Sequence, residues 1–279
     1  METDKEMQLN VSYDIEAMEA GQRAEYDIQI ATAKKYPRNL SKVKENCIAI
    51  VTMDRPTAES CRYALPRAGK SLIGPSVHLA RIIAQQYGNI RVDARIKQIT
   101  NTQIISEAVA FDLETNYAVK VEIRRSILNR LGQRFNEDMV VVTGNAANAI
   151  SFRNAVLAVV PRGLTNSCFD ASVKFLTGDL STEQKLIKER NRILELMKKN
   201  YKITEEQILT AIGLRSINQV KPEQIADLIA LGQSIKDGDS TVEEIFIKPD
   251  GESVEEELNK KKEAIKTKKP GEQGKIEMP

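Results

Sequence analysis

The sequence predicts an α+β fold: an antiparallel β-meander of three to four strands packed against helices, followed by a small C-terminal helical module. Three observations carry this. Between Ile90 and Arg124, apolar and polar residues alternate with period two in three successive runs. The segments around them repeat apolar residues at helical spacing. From Lys248 onward Lys, Glu, Pro and Gly dominate and apolar residues nearly vanish, the composition of a disordered charged tail. The organisation expected is a polar segment over 1–22, an α+β core over 23–178, a helical domain over 179–247 and a tail over 248–279.

Element by element, Arg23–Lys35 reads as a helix stopped by Tyr36-Pro37, because the residue before proline is pushed out of the helical region. A second helix is expected over Ser41–Met53, with Val43, Cys47, Ile50 and Val51 at helical spacing. Cys61–Ser76 holds two prolines and two glycines around Arg67 and Lys70, which predicts a short hairpin or loop. Pro75 suits the first position of a helix reaching Tyr87 and ended by Gly88-Asn89.

The meander follows. Ile90, Val92, Ala94 and Ile96 alternate with Arg91, Asp93, Arg95 and Lys97, the pattern of a half-buried strand. Thr100–Thr102 turns the chain into Gln103–Leu113, and Glu114–Asn116 turns it again into Tyr117–Arg124. The middle strand carries Ile105, Val109, Phe111 and Leu113 on one side and Ser106, Ala108, Ala110 and Asp112 on the other. The small side is expected to lie away from the core. Flanked by Arg91, Arg95, Lys97, Lys120 and Arg124 of the outer strands, it would be a shallow trough with basic rims. Such a trough suits a nucleic-acid backbone, or equally a packed helix. Met139–Thr143 is expected as a fourth strand, and Gly144-Asn145 as the start of an Ala-rich helix ending at Pro161. Beyond Gly178, helices are expected over Ser181–Asn200, Thr204–Ile212 and Pro222–Lys236, with a short segment led by Thr241.

Composition narrows the chemistry. Hydrophobic residues make up 41% of the 279, enough for a core, and no run approaches the ~20 apolar residues of a membrane helix. METDKEMQLN has no apolar segment and is not a signal peptide, so the expected location is the cytoplasm, bacterial or otherwise. Three dispersed cysteines (Cys47, Cys61, Cys168) and the single His78 argue against a disulfide framework, a zinc site or a histidine-based triad. No metal or organic cofactor is expected.

Gly69-Lys70-Ser71 resembles the end of a phosphate-binding loop, but Ala64 stands where that motif needs its first glycine. Gly74-Pro75 also interrupts the helix whose amides would hold the phosphate. Asp112-Leu113-Glu114 and Glu137-Asp138 read as turn and loop carboxylates rather than as an acid–base pair. The chain is therefore expected not to be an enzyme.

The remaining signal is charge. Residues 60–170 hold fourteen Lys/Arg against eight Asp/Glu, between flanks that are faintly acidic. A basic domain between such flanks points to a polyanion. The candidate contacts are Arg67, Lys70, Arg81, Arg91, Arg95, Lys97, Lys120, Arg124, Arg125 and Arg153. With no Trp and 5% aromatics, backbone-directed binding is favoured over base-stacking recognition.

Residues 23–175 resemble the phage and prophage single-strand annealing proteins of the RecT/Redβ type. The likeness rests on Tyr63–Arg67, on Gly74-Pro75-Ser76 leading to a helix that ends Tyr87-Gly88-Asn89, on the Arg91–Arg124 meander, and on Asn148–Ala155 through Pro161. The Ala64–Lys70 segment departs from the family's pattern. The resemblance implies ATP-independent binding of single-stranded DNA, annealing through a duplex intermediate, and assembly of a homo-oligomeric ring or filament. It also implies recruitment of an exonuclease or a single-strand-binding protein by the C-terminal helices, with no membrane partner. The alternatives are a nucleotide- or nucleic-acid-processing enzyme, and a phage structural or assembly protein without a DNA role.

Overall fold

A computed structural model describes residues 20–67, 70–129, 131–178, 180, 182–238 and 240–246, with side chains left out at 66, 67, 70 and 71. The expectations for residues 1–19 and for the tail over 248–279 lie outside the described residues.

The chain opens with α1 (residues 20–35), which ends before Pro37, and α2 (Leu40–Val51), whose first turn is capped by the Asn39 side chain accepting from Lys42 N. A short helix the sequence reading missed, α3 (Arg55–Ser60), starts where Asp54 accepts from Thr57 N at 2.7 Å. The expected hairpin is present as antiparallel β1 (Arg62–Arg67) and β2 (Lys70–Pro75). Tyr63 lies across Gly74 so closely that a Cβ there would come within 3.1 Å of the ring. Pro75 ends β2 rather than opening a helix, and Ser76 caps α4 (Val77–Tyr87) by accepting from Leu79 N. Gly88 closes that helix at φ 61°, a conformation glycine adopts without strain.

The meander is β3 (Ile90–Ile99), β4 (Gln103–Asp112) and β5 (Tyr117–Ser126), antiparallel in the order β3-β4-β5. It has three strands, because Met139–Thr143 is helical. It lies in the first two turns of α5 (Glu137–Val159), which Asn136 caps by accepting from Met139 N at 2.9 Å. Val140-Val141-Val142 has strand propensity, but Val140 packs with Ile104, Ile127 and Ala147, and the tertiary contact overrides it. Gly144 therefore sits inside the helix, beside Ile96 and Ile104.

The helix α6 (Arg162–Gly178), also absent from the sequence reading, packs against α2. The three cysteines, remote in sequence, are fully buried in the core shared by α2, α4, α5 and α6. Burial pushes the Cys61 thiol up to about 12.

The C-terminal helices fall close to their expected positions: α7 (Glu183–Tyr201), α8 (Glu205–Ala211), α9 (Pro222–Lys236) and α10 (Val242–Phe246). Their common core is Ile193, Leu194, Met197, Ile208, Leu228, Leu231 and Ile245, and it takes in Ala64 of β1. Ala64 N donates to Ser234 Oγ, Arg62 pairs with Asp227, and His78 Nε2 lies 2.9 Å from Asp237. The helical region is thus seated on the hairpin and on α4 through buried and half-buried polar links. Among the described residues no helix is long and apolar enough to cross a membrane.

Candidate nucleic-acid interface

Directly opposed residues on antiparallel strands share a face of the sheet. Ala108 pairs with Ala94 and Val121, Ala110 with Val92 and Val119, and Ser106 with Ile96 and Ile123. The small residues of β4 therefore belong to the apolar face, and that face is closed. Ala108 and Ala110 are fully buried against Ala155 and Val159 of α5, and Ser106 Oγ donates to Asn148 Oδ1 at 2.6 Å. Small side chains on both surfaces let the helix lie close to the sheet.

This corrects the expected trough: the Ser106/Ala108/Ala110 side is where the helix packs, and the cations are on the other side. There Arg91 opposes Phe111, Arg95 opposes Glu107, Lys120 opposes Val109 and Arg124 opposes Ile105. The register shift between Ile96 and Gln98 is a bulge at Lys97, which re-aims that side chain. Its Nζ reaches Glu122 at 3.1 Å and Glu107 at 3.6 Å.

The open face is therefore floored by Ile105, Glu107, Val109 and Phe111. Glu107, whose side chain is only 6% exposed, gathers Lys120 at 3.2 Å, Arg95 at 3.3 Å and Lys97 at 3.6 Å. Arg124 pairs with Glu122 at 2.8 Å. The Lys120 hydrogen bond and charge, with the Arg95 hydrogen bond and the Lys97 charge, hold the Glu107 carboxyl below the usual carboxylate range. Arg124 and Lys97 do the same for Glu122. Three of the five cations remain largely in water, the side chains of Arg95, Lys120 and Arg124 being 75%, 63% and 64% exposed, while Lys97 is half-buried and Arg91 only 26% exposed. An arginine has five N–H donors and a lysine three, so each keeps donors for an incoming anion. Pairs whose cations stand in water are individually weak and rearrange readily.

One end of this face is walled by α1. Arg38, just after that helix, donates from Nη1 and Nη2 to both oxygens of Asp112 at 2.7 and 2.6 Å, and from Nη2 to Asn89 O. Its Nε lies 3.1 Å from Glu114, and its guanidinium stacks 3.7 Å from the Tyr87 ring centre. Burial raises the Asp112 carboxyl, but the Arg38 hydrogen bonds and charge, together with the Glu114 N–H and Thr115, outweigh it and hold the group below its ordinary value. This anchor fixes the root of α1, and Tyr26 then reaches Phe111, with ring centres 6.4 Å apart.

The ten expected contacts do not form one surface. Arg91, Arg95, Lys97, Lys120 and Arg124 share the open face. Arg125 opposes Ile104 and so stands on the α5 side of β5. Arg153 is buried with its guanidinium 4.2 Å from the Tyr63 ring, and Arg81 lies on α4 beside Phe152. Arg67 and Lys70 are paired residues of the β1–β2 hairpin, and their side chains lie outside the described residues. Lys70 opens a strand rather than a helix, so the Gly-Lys-Ser tripeptide lacks the helix N-terminus a phosphate-binding loop needs. Sequence reasoning overlooked Glu107, Tyr26 and Phe111 as members of this face. The turn at residues 113–116 sets Asp112 opposite Tyr117, and counting back from that pair places Lys120 against Val109 and Glu107 against Glu122. Among the described residues no group of three or more His, Cys, Asp or Glu is arranged to hold a metal ion.

No protein family, curated protein or solved structure matches the chain.

Proposed function

We propose that the chain binds single-stranded DNA along the open face of the β3-β4-β5 sheet and anneals complementary strands without nucleotide hydrolysis, as RecT/Redβ-type proteins do. The observation that carries this reading is the gathering of Arg91, Arg95, Lys97, Lys120 and Arg124 on the sheet face opposite α5. Phosphates would sit on these side chains by a sequence-independent, charge-driven contact. Most bases would face outward, free to pair with a second strand.

Side-by-side subunits would lengthen the face into a continuous track. Exposed Leu131, Met139, Val141 and Val142, beside and along the first turns of α5, are apolar surface that a neighbouring subunit would bury. The helices over 180–246 would serve a protein partner such as an exonuclease or a single-strand-binding protein. The domain boundaries 23–178 and 179–247 belong to the same proposal.

The test is titration of labelled single- and double-stranded oligonucleotides over a salt series, with an annealing assay run beside it, all without ATP. The reading expects log affinity for single strands to fall by about 0.7 per phosphate contact for each unit of log salt, together with nucleotide-independent annealing. Affinity that ignores salt, or annealing that appears only with ATP, would overturn it.

A further inference from the structure

Beside the cations, the same open face holds a cavity of about 320 Å3 lined by Tyr26, Arg91, Asp93, Val109, Phe111 and Asn116. Its size falls at the small end of ligand pockets, which run from roughly 300 to 1,000 Å3. The walls are aromatic: the Tyr26 and Phe111 rings are inclined at 44° with centres 6.4 Å apart, a wedge open on one side. Arg91 lies 4.4 Å from the Tyr26 ring centre, held by Glu25 at 2.7 Å and Asp93 at 3.0 Å. Val109 supplies apolar floor, and Asp93 and Asn116 bring a carboxylate and an amide to the rim. The wedge is also positioned, since the buried Arg38–Asp112 pair ties the root of α1 to the residue that follows Phe111.

We propose that this cavity takes one base of a bound single strand, so that the protein grips DNA by a stacked base as well as by phosphates. The inference rests on the reading above, because continuity with the cationic face decides the occupant. Val109, in the cavity floor, is the direct cross-strand partner of Lys120. A phosphate on Lys120 therefore leaves its base within reach of the wedge. A flat ring with an apolar face and a polar edge suits aromatic walls beneath a carboxylate and an amide. The carboxylate accepts only, so it favours the exocyclic amino group of adenine, cytosine or guanine. Every base has a face to stack, so the grip would be tolerant of sequence.

The experiment compares a base-bearing oligonucleotide with an abasic strand of equal length and equal phosphate count. The wild-type chain should bind the base-bearing strand at least about fivefold more tightly, the lower end of what one stacked base contributes. Tyr26→Ala and Phe111→Ala should bring that ratio towards one, and Tyr26→Phe should restore the preference. If Phe111→Ala melts early, Tyr26→Ala decides the matter, because it lies on the surface of a helix. No preference in the wild type, or a preference that survives both alanine variants, would overturn the cavity's role. Failure of both strands to bind in a salt-dependent way would instead sink the DNA reading itself.

Discussion

The two faces of the β3-β4-β5 sheet share every backbone hydrogen bond and differ only in the parity of their side chains. One face carries Ala108, Ala110, Val92 and Val121 and is sealed by α5. The other carries Phe111, Val109 and Ile105, bulkier than Ala108 and Ala110, and among the described residues it meets α1 at one end and ion pairs along the rest. Side-chain size on the central strand is thus a poor guide to which face is buried. The outer strands decide, because Val92, Ala94, Ile96, Val119, Val121 and Ile123 all fall on the small side. Summed apolar area, rather than the bulk of one strand, selects the core.

Neighbouring residues on opposite faces give the widest separation of outcomes. Ala108→Asp places an unpaired charge under α5 and should cost about 4 kcal/mol or more, a large part of an ordinary domain's stability. Val109→Asp, one residue on, should cost about 1 kcal/mol and chiefly weaken binding of single strands. Urea denaturation of both variants measures the difference, and equal losses would erase the distinction between the faces.

Next in size is the anchor that holds α1 against the open face. Arg38→Met leaves Asp112 buried without its partner, which should cost about 3–5 kcal/mol at neutral pH. The sign with pH follows from the carboxylate. In the wild type its folded value lies below the ordinary 3.8, so the pair's stabilisation is present above pH 3.8 and is lost as pH falls through the folded value. In Arg38→Met the buried, unpaired carboxylate is itself the burden, and protonation relieves it. The gap between the two proteins should therefore narrow as pH falls. A gap that is constant with pH would place the anchor's contribution elsewhere.

These cases also mark how far the sequence could be read. The meander's position and both of its turns were legible from the period-two alternation. The C-terminal helices were legible from Thr204, Pro222 and Thr241 near their starts. What stayed hidden depended on distant contacts. The valines at 140–142 favour a strand until Ile104 and Ile127 receive Val140 within a helix. The inner side of α6 is made of Thr165, Cys168 and Ser172 as well as Leu164 and Leu176, too polar to announce a buried helix. The five cations were found, but their face required the strand register and the bulge at Lys97. Tyr26 could not be placed beside Phe111 at all, since the link between them runs through Arg38 and Asp112, 74 residues apart.

A smaller effect sharpens the electrostatic side of the comparison. Glu107→Gln removes the carboxylate that gathers Arg95, Lys97 and Lys120, and should tighten single-strand binding by roughly fivefold, what one unit charge about 4 Å away is worth in water. In the wild type the same gain should appear only as pH drops below the ordinary carboxylate value of 4.5, because the cations hold Glu107 charged down to lower pH. Fluorescence anisotropy at low salt reads both. Weaker binding in Glu107→Gln would mean that the carboxylate, rather than the cations, is what the ligand needs.

The most direct test of the open face as the DNA site is the salt dependence of single-strand affinity in Arg95→Gln/Lys120→Gln, set against Arg81→Gln/Arg162→Gln, which removes the same charge from helices α4 and α6. The first pair should flatten the slope of log affinity against log salt by about one to two units with little change in melting temperature, and the second should leave the slope as it is. A full wild-type slope in Arg95→Gln/Lys120→Gln, with the loss appearing in Arg81→Gln/Arg162→Gln instead, would contradict the account.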